Sequence, residues 1–123
     1  MSNEYAAILD EKPANTEVST AIGELQLMCA GVSERVGNRG RCELERGYAV
    51  NYGQEFKVTL IRSDNQYKLV LLRAYVPLGD FPALLDTYSE EMVECKDLVK
   101  LKKELGKFLR TQFVRNQIED WVR

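Results

Sequence analysis

The chain of 123 residues contains no histidine. That absence removes the commonest general acid-base group, and with it any Ser-His or Cys-His nucleophile pair. Cysteines number three, Cys29, Cys42 and Cys95, with no C-x-x-C spacing. Three thiols without histidine do not furnish the four ligands of a structural zinc site, and three cannot all pair within one chain. The expectation is three reduced thiols, no metal and no cofactor, in a reducing cytoplasm. No apolar run approaches the roughly 20 residues a membrane-spanning helix needs. The opening stretch MSNEYAAILDEKPANTE is acidic and lacks the basic start and apolar core of a secretory leader. A soluble cytoplasmic protein with no membrane partner is expected. No G-x-x-x-x-G-K-[ST] loop is present either, which excludes a Walker site.

What is present suits one domain with a single core, residues 1–123. Hydrophobic residues make up 45% and charged residues 29%, as in an ordinary globular protein. The net charge of −2 conceals blocks of alternating sign. Residues 1–34 hold six acids and one lysine, and residues 35–79 hold eight bases and four acids. Residues 80–95 carry five acids and no base, whereas residues 96–115 carry seven bases and two acids. Such blocks attract one another, within a chain or between copies.

The order of elements follows from periodicity. Residues 1–13 read as a flexible arm, with at most a turn of helix near Tyr5–Leu9. A helix is expected over 15–36, capped by Asn15 or Thr16, because Val18, Ile22, Leu25, Cys29, Val32 and Val36 recur at spacings of three and four. Gly23 and Gly31 make it locally weak, or mark a close approach to its backbone. Residues 41–76 alternate as three antiparallel strands. Cys42, Leu44, Tyr48, Val50 and Tyr52 are expected inward on the first, and Phe56, Val58 and Leu60 on the second. The third is apolar on both faces: Tyr67, Leu69, Leu71 and Tyr75 on one, Val70, Leu72, Ala74 and Val76 on the other. A meander would leave that strand at an edge with unpaired donors, to be met by a second copy or another element.

Helices are expected over 81–122. Asp80 and Pro82 suit a helix start, and Phe81, Leu84, Leu85, Tyr88, Met92 and Cys95 line one face. That face and the N-terminal seam are expected to cover the sheet. Asp97 starts a second helix with Leu98, Leu101, Leu105, Phe108 and Leu109. Val114, Ile118, Trp121 and Val122 then lie on the opposite side, so the tail kinks back or reaches a neighbour. The fold class is therefore α+β: an N-terminal helix, a three-stranded antiparallel sheet, and two or three C-terminal helices. The order helix, three strands, helix, with small size and acidity, resembles that of bacterial secretion chaperones in a general way. Those proteins return to strands where this chain is read as ending in helices.

The carboxylates of Glu43 and Glu45, or of Glu90, Glu91 and Glu94, sit on faces that read as exposed, without the pocket an acid catalyst needs. Cys42 follows Arg39 and Arg41, which would lower a thiol pKa at close range, but its alternation with Leu44 reads as a structural core thiol. Within VGNRGR (36–41), Gly37-Asn38-Arg39-Gly40 has the form of a backbone-clamping G-x-x-G loop, yet a strand follows where that module needs a helix. A turn is expected, with Arg39 and Arg41 as the candidate anion-binding pair. The functional expectation is a small non-enzymatic protein that binds another protein and itself, as a homodimer, and acts as a regulator, inhibitor or chaperone. Tyr75, at the sheet edge, and Phe113, Val114, Ile118, Trp121 and Val122 are the candidate contact residues. The alternative is a nucleic-acid-binding protein using the Arg-rich loop and sheet, against which stands a pI near 5.3.

Overall fold

The computed structural model describes residues 20–89 and 91–122. The expected arm (1–13), the caps Asn15 and Thr16, and Val18 lie outside these residues. Helix α1 spans Thr20–Val36 and buries Ala21, Leu25, Met28, Cys29, Val32 and Val36, the stripe its spacing predicts. Gly37, at φ 61°, ends it in the left-handed conformation, and a 3-10 turn over Gly37–Arg39 leads into the sheet. Five antiparallel strands follow in spatial order: β1 (Gly40–Val50), β2 (Gly53–Arg62), β3 (Lys68–Val76), β4 (Ala83–Asp86) and β5 (Val93–Cys95). Helices α2 (Leu98–Leu109) and α3 (Gln112–Val122) complete an α+β fold.

The sheet has five strands rather than the three expected, because the segment read as the helix of residues 81–95 folds as β4 and β5. Its apolar spacing fits a helix, but β3 offers an unpaired edge that only an extended segment can satisfy, and tertiary pairing overrides a weak local propensity. Burial along Ala83–Asp86 alternates accordingly, Ala83 and Leu85 buried and the other two half-buried. Tyr75 therefore does not stand at an edge: β3 lies between β2 and β4, and Tyr75 pairs with Glu55 on one side and Leu84 on the other. Farther along β3 the free carbonyl of Val70 accepts a bond from the Tyr88 hydroxyl at 2.7 Å.

Two bulges explain the other departures. On β3, Leu72 pairs with Val58 and Val70 with Thr59, so Leu71 is an inserted residue. Past it the alternation changes phase. Leu71 and Leu72 are both fully buried, and the strand that looked apolar on two faces sends its apolar residues mainly into one core. On β1 one extra residue lies between Arg46 and Ala49. Cys42 and Leu44 face the core as expected, but the shift carries Tyr48, Val50 and Tyr52 out of it, and all three are exposed.

All three helices contribute to one core against one face of the sheet. Phe56, Val58, Leu60, Leu72, Ala74 and Leu85 meet α1 side chains together with Leu101, Leu105 and Phe108 of α2 and Val114 and Trp121 of α3. Each valine, leucine or phenylalanine among them contributes about 1.5–3 kcal/mol on burial. The opposite face carries paired charges, Lys68–Glu45 at 3.1 Å, Arg73–Glu55 at 3.9 Å and Arg41–Glu43 at 2.6 Å. Each exposed pair contributes at most about 1 kcal/mol, so the helical layer holds the sheet. Asp97 caps α2, its carboxylate accepting from the Lys100 amide at 2.9 Å. The chain then turns at Arg110–Thr111, and the rotated stripe of α3 folds back onto the same core.

Two glycines give opposite expectations. Gly31 is exposed in mid-helix, and a methyl group there would meet nothing within 4 Å. Gly40 is the reverse case: a Cβ would lie 2.6 Å from Trp121 Nε1 and closer still to the Ile61 carbonyl. Gly31→Ala should raise the unfolding free energy by up to about 1 kcal/mol. Gly40→Ala should lower it by about 1–3 kcal/mol through overpacking. Urea denaturation of the two variants beside the wild type checks both signs.

Candidate functional site

The two ends of the sheet differ. At one end, where β1 begins and β2 turns into β3, the tail closes the structure. Trp121 is only 2% exposed. Its ring stacks against Tyr67 at 5.4 Å between centroids, and the Arg62 guanidinium lies 4.9 Å from the ring centre. The indole N–H is buried with no hydrogen-bond partner among the described residues. Val114 is fully buried and Ile118 half-buried against the core. Two of the candidate contact residues, Val114 and Trp121, are thus packed inside their own chain. Phe113 and Val122 stay exposed, with Phe113 6.1 Å from the ring of Tyr88.

The arginines of the VGNRGR turn are used locally. Arg41 donates to Glu43 and, at 2.9 Å, to Asn65 Oδ1. The carbonyl of Arg39 accepts from the Ser63 amide at 3.1 Å, tying the turn to the β2–β3 connection, while the Arg39 side chain is exposed. The wider basic set alternates with acids: Arg73 lies by Glu55, Lys100 by Glu104 and Lys102 by Glu24.

At the other end the β1–β2 hairpin and the β3–β4 connection project past the helical layer. Between them runs a groove of about 910 Å³. Ile22 from the first turn of α1, Phe56 and Val76 form part of its lining, and Val50, Tyr52 and Leu78 form its walls. Tyr52 is 49% exposed and Leu78 is fully exposed; Tyr48, on the same hairpin, is 87% exposed but does not line the groove. Tyr52 stands edge-on to Tyr75, centroids 5.3 Å apart, so Tyr75 supports the wall from behind. The Tyr75 hydroxyl reaches Glu55 at 3.4 Å. Arg46 enters the lining from β1, Glu94 from β5 and Asp80 from the β3–β4 connection. None of these three charges has an ion-pair partner among the described residues. Of the sequence candidates only Tyr75 belongs to this end. The bulge on β1, which residue spacing does not reveal, turns Val50 and Tyr52 out of the core toward this end.

Cys29 and Cys42 meet between α1 and β1, both buried. Cys42 donates a hydrogen bond to Cys29; that bond, and then burial, pushes the Cys42 thiol up, while the same bond draws the Cys29 thiol down against the opposing effect of burial. A thiol raised in this way is the opposite of an activated nucleophile. Burial pushes Cys95 up to about 11. Glu43, Glu45, Glu91 and Glu94 form no cluster with cysteine or aspartate that would hold a metal ion, among the described residues. No described helix is long and apolar enough to cross a membrane.

Among the described residues two carboxylates are shifted, and both downward. Lys68 donates to Glu45 at 3.1 Å, and Lys100 donates to Glu104 at 3.0 Å, each holding its partner below the ordinary glutamate value of 4.5. A general acid needs the opposite shift. A depressed folded value stabilises the fold above the unfolded value, and that contribution is lost as pH falls through the folded one. The urea midpoint should therefore decline as pH drops below about 4.5, and Glu104→Gln should make that decline shallower. Midpoints measured between about pH 7 and pH 3 check the sign.

Compared with known proteins, the chain matches no family model, no curated protein and no solved structure.

Proposed function

We propose that this chain is a single-domain, non-enzymatic protein-binding module that acts as a regulator, inhibitor or chaperone of another protein in the cytoplasm, and that it associates with itself. One observation carries the reading: the groove at the hairpin end, where Val50, Tyr52 and Leu78 stand exposed around a trough of about 910 Å³. A contiguous patch of aromatic and aliphatic side chains rimmed by charge is the composition of a protein-binding surface. Tyr52, exposed on the groove wall, supplies large contact area at low entropic cost, and aromatic residues dominate binding hot spots. The absence of histidine and the downward shifts of Glu45 and Glu104 support a role without turnover.

The nucleic-acid alternative draws less support. Arg41, Arg73, Lys68, Lys100 and Lys102 each face an acid, so the bases do not form an uninterrupted track for a phosphate backbone.

Affinity capture with the native chain and two variants tests the proposal. Tyr52→Ser with Leu78→Asp should lose retained proteins, whereas Phe113→Ser with Val122→Ser, on the tail, should keep them. Equal retention by both double variants would remove the groove from consideration. Retardation of labelled RNA or DNA with a steep salt dependence, abolished by replacing Arg39 and Arg41, would transfer the function to the alternative class.

A further inference from the structure

The hairpin-end groove carries its two signs of charge at opposite margins. Arg46 stands on β1, one edge of the sheet, and Glu94 on β5, the other edge, with Asp80 on the connection beside it. Four strand spacings of about 4.8 Å separate those edges. Elsewhere on the sheet charges are paired, Glu45 of β1 with Lys68 of β3 and Glu55 of β2 with Arg73 of β3. Around the groove they are not, among the described residues. The same surface also combines a projection with a trough: Leu78 stands fully clear of the chain on one wall, and the trough lies between it and the hairpin wall of Val50 and Tyr52.

We propose that the occupant of this groove is the same groove of a second copy, docked about a two-fold axis. An isologous contact requires one patch to be complementary to itself, each feature meeting its counterpart across the axis. This patch satisfies that requirement twice. Rotation by a half turn brings the Arg46 margin of each copy against the Asp80 and Glu94 margin of the other. It also sets exposed Leu78 of each copy against Val50 and Tyr52 on the hairpin wall of its partner. A patch with a single sign of charge, or a trough without projections, would have suited a different partner instead.

The outer strand contributes a further element. The Cys42 amide donates to Ser33 Oγ at 2.7 Å, and the same hydroxyl donates to the Cys42 carbonyl at 3.1 Å. The backbone groups of Cys42 therefore point away from β2, and by antiparallel alternation so do those of Leu44 and Arg46. Ser33 blocks the edge at Cys42. Beyond it the outward edge leads directly into the Arg46, Ala49 and Val50 side of the groove. Docking therefore proceeds through the groove at the hairpin end, while the hydroxyl on α1 obstructs extension of the sheet along all of β1. Glu45 would face itself in a symmetric pairing centred on that residue, a like-charge contact that disfavours strand addition there.

This inference rests on the protein-binding reading, and its test separates the two. Sedimentation equilibrium of the full chain from about 5 to about 500 µM brackets the affinity of an interface this small. The native chain should shift from one copy to two within that range. Arg46→Glu should weaken association about tenfold, and the pair Asp80→Lys with Glu94→Lys should do the same, an effect of about 1.4 kcal/mol. Mixing the two oppositely charged variants should restore a mixed dimer, an outcome that general damage to the fold cannot produce. Leu78→Asp should abolish dimers while leaving the circular dichroism spectrum unchanged, and Val122→Ser should have no effect.

A native chain that stays single throughout would overturn the inference. If such a chain still held another protein through Tyr52 and Leu78, the binding-module reading would stand without self-association. If capture failed as well, both would fall. Should Ile8→Asp with Leu9→Asp turn a single chain into a pair, the occupant would be the chain's own leading segment rather than a second copy. A dimer indifferent to Arg46 and Leu78 would place the contact elsewhere.

Discussion

The hydroxyl of Ser33 bonds both backbone groups of Cys42, and this small reciprocal contact sets how α1 lies across the sheet. It orients the outer strand, because a residue whose amide and carbonyl point to a helix cannot also offer them to β2. Orientation then dictates phase: with Cys42 facing the core, Leu44 follows, and across the register so do Leu60 and Val58. A slip by one residue would present Glu43, Glu45 and Lys57 to the helices instead. The contact is local, yet the position of every core side chain on β1 and β2 depends on it.

The same dependence on phase shows why the sequence was legible in parts. The α1 stripe repeats over five turns, and the strands containing Phe56, Val58 and Leu60 alternate without interruption, so both could be read directly. Leu71 and the extra residue between Arg46 and Ala49 are single insertions. An insertion of that size leaves composition untouched while reversing the facing of everything beyond it. Hence β3 seemed to need an external cover, and Tyr48 seemed to belong inside. The segment from Phe81 to Cys95 failed for another reason. Its apolar residues fit a helix, and the deciding influence, an open edge on β3, is a property of the assembled sheet rather than of that segment.

The candidate site was the least legible element, because no single stretch contains it. Residues of α1, both arms of a hairpin, a connection and two short strands contribute to the groove. Each reads as an ordinary isolated apolar or charged side chain until the fold brings them together. The tail had the opposite fate. Trp121 was a conspicuous residue with a clear need for cover, and it found that cover against Tyr67, Arg62 and the bare backbone at Gly40. Conspicuous apolar residues are therefore a poor guide here to which of them remain available.

That burial gives the molecule an intrinsic optical reporter. Trp121 is the only indole in the chain, and its emission senses a cation, a phenol ring and a glycine at one pole. The opposite pole lies the length of an 11-residue strand away, about 35 Å. Excited where tyrosine does not absorb, the indole thus follows detachment of the last helix, and an occupant seated at the far pole leaves its emission unchanged.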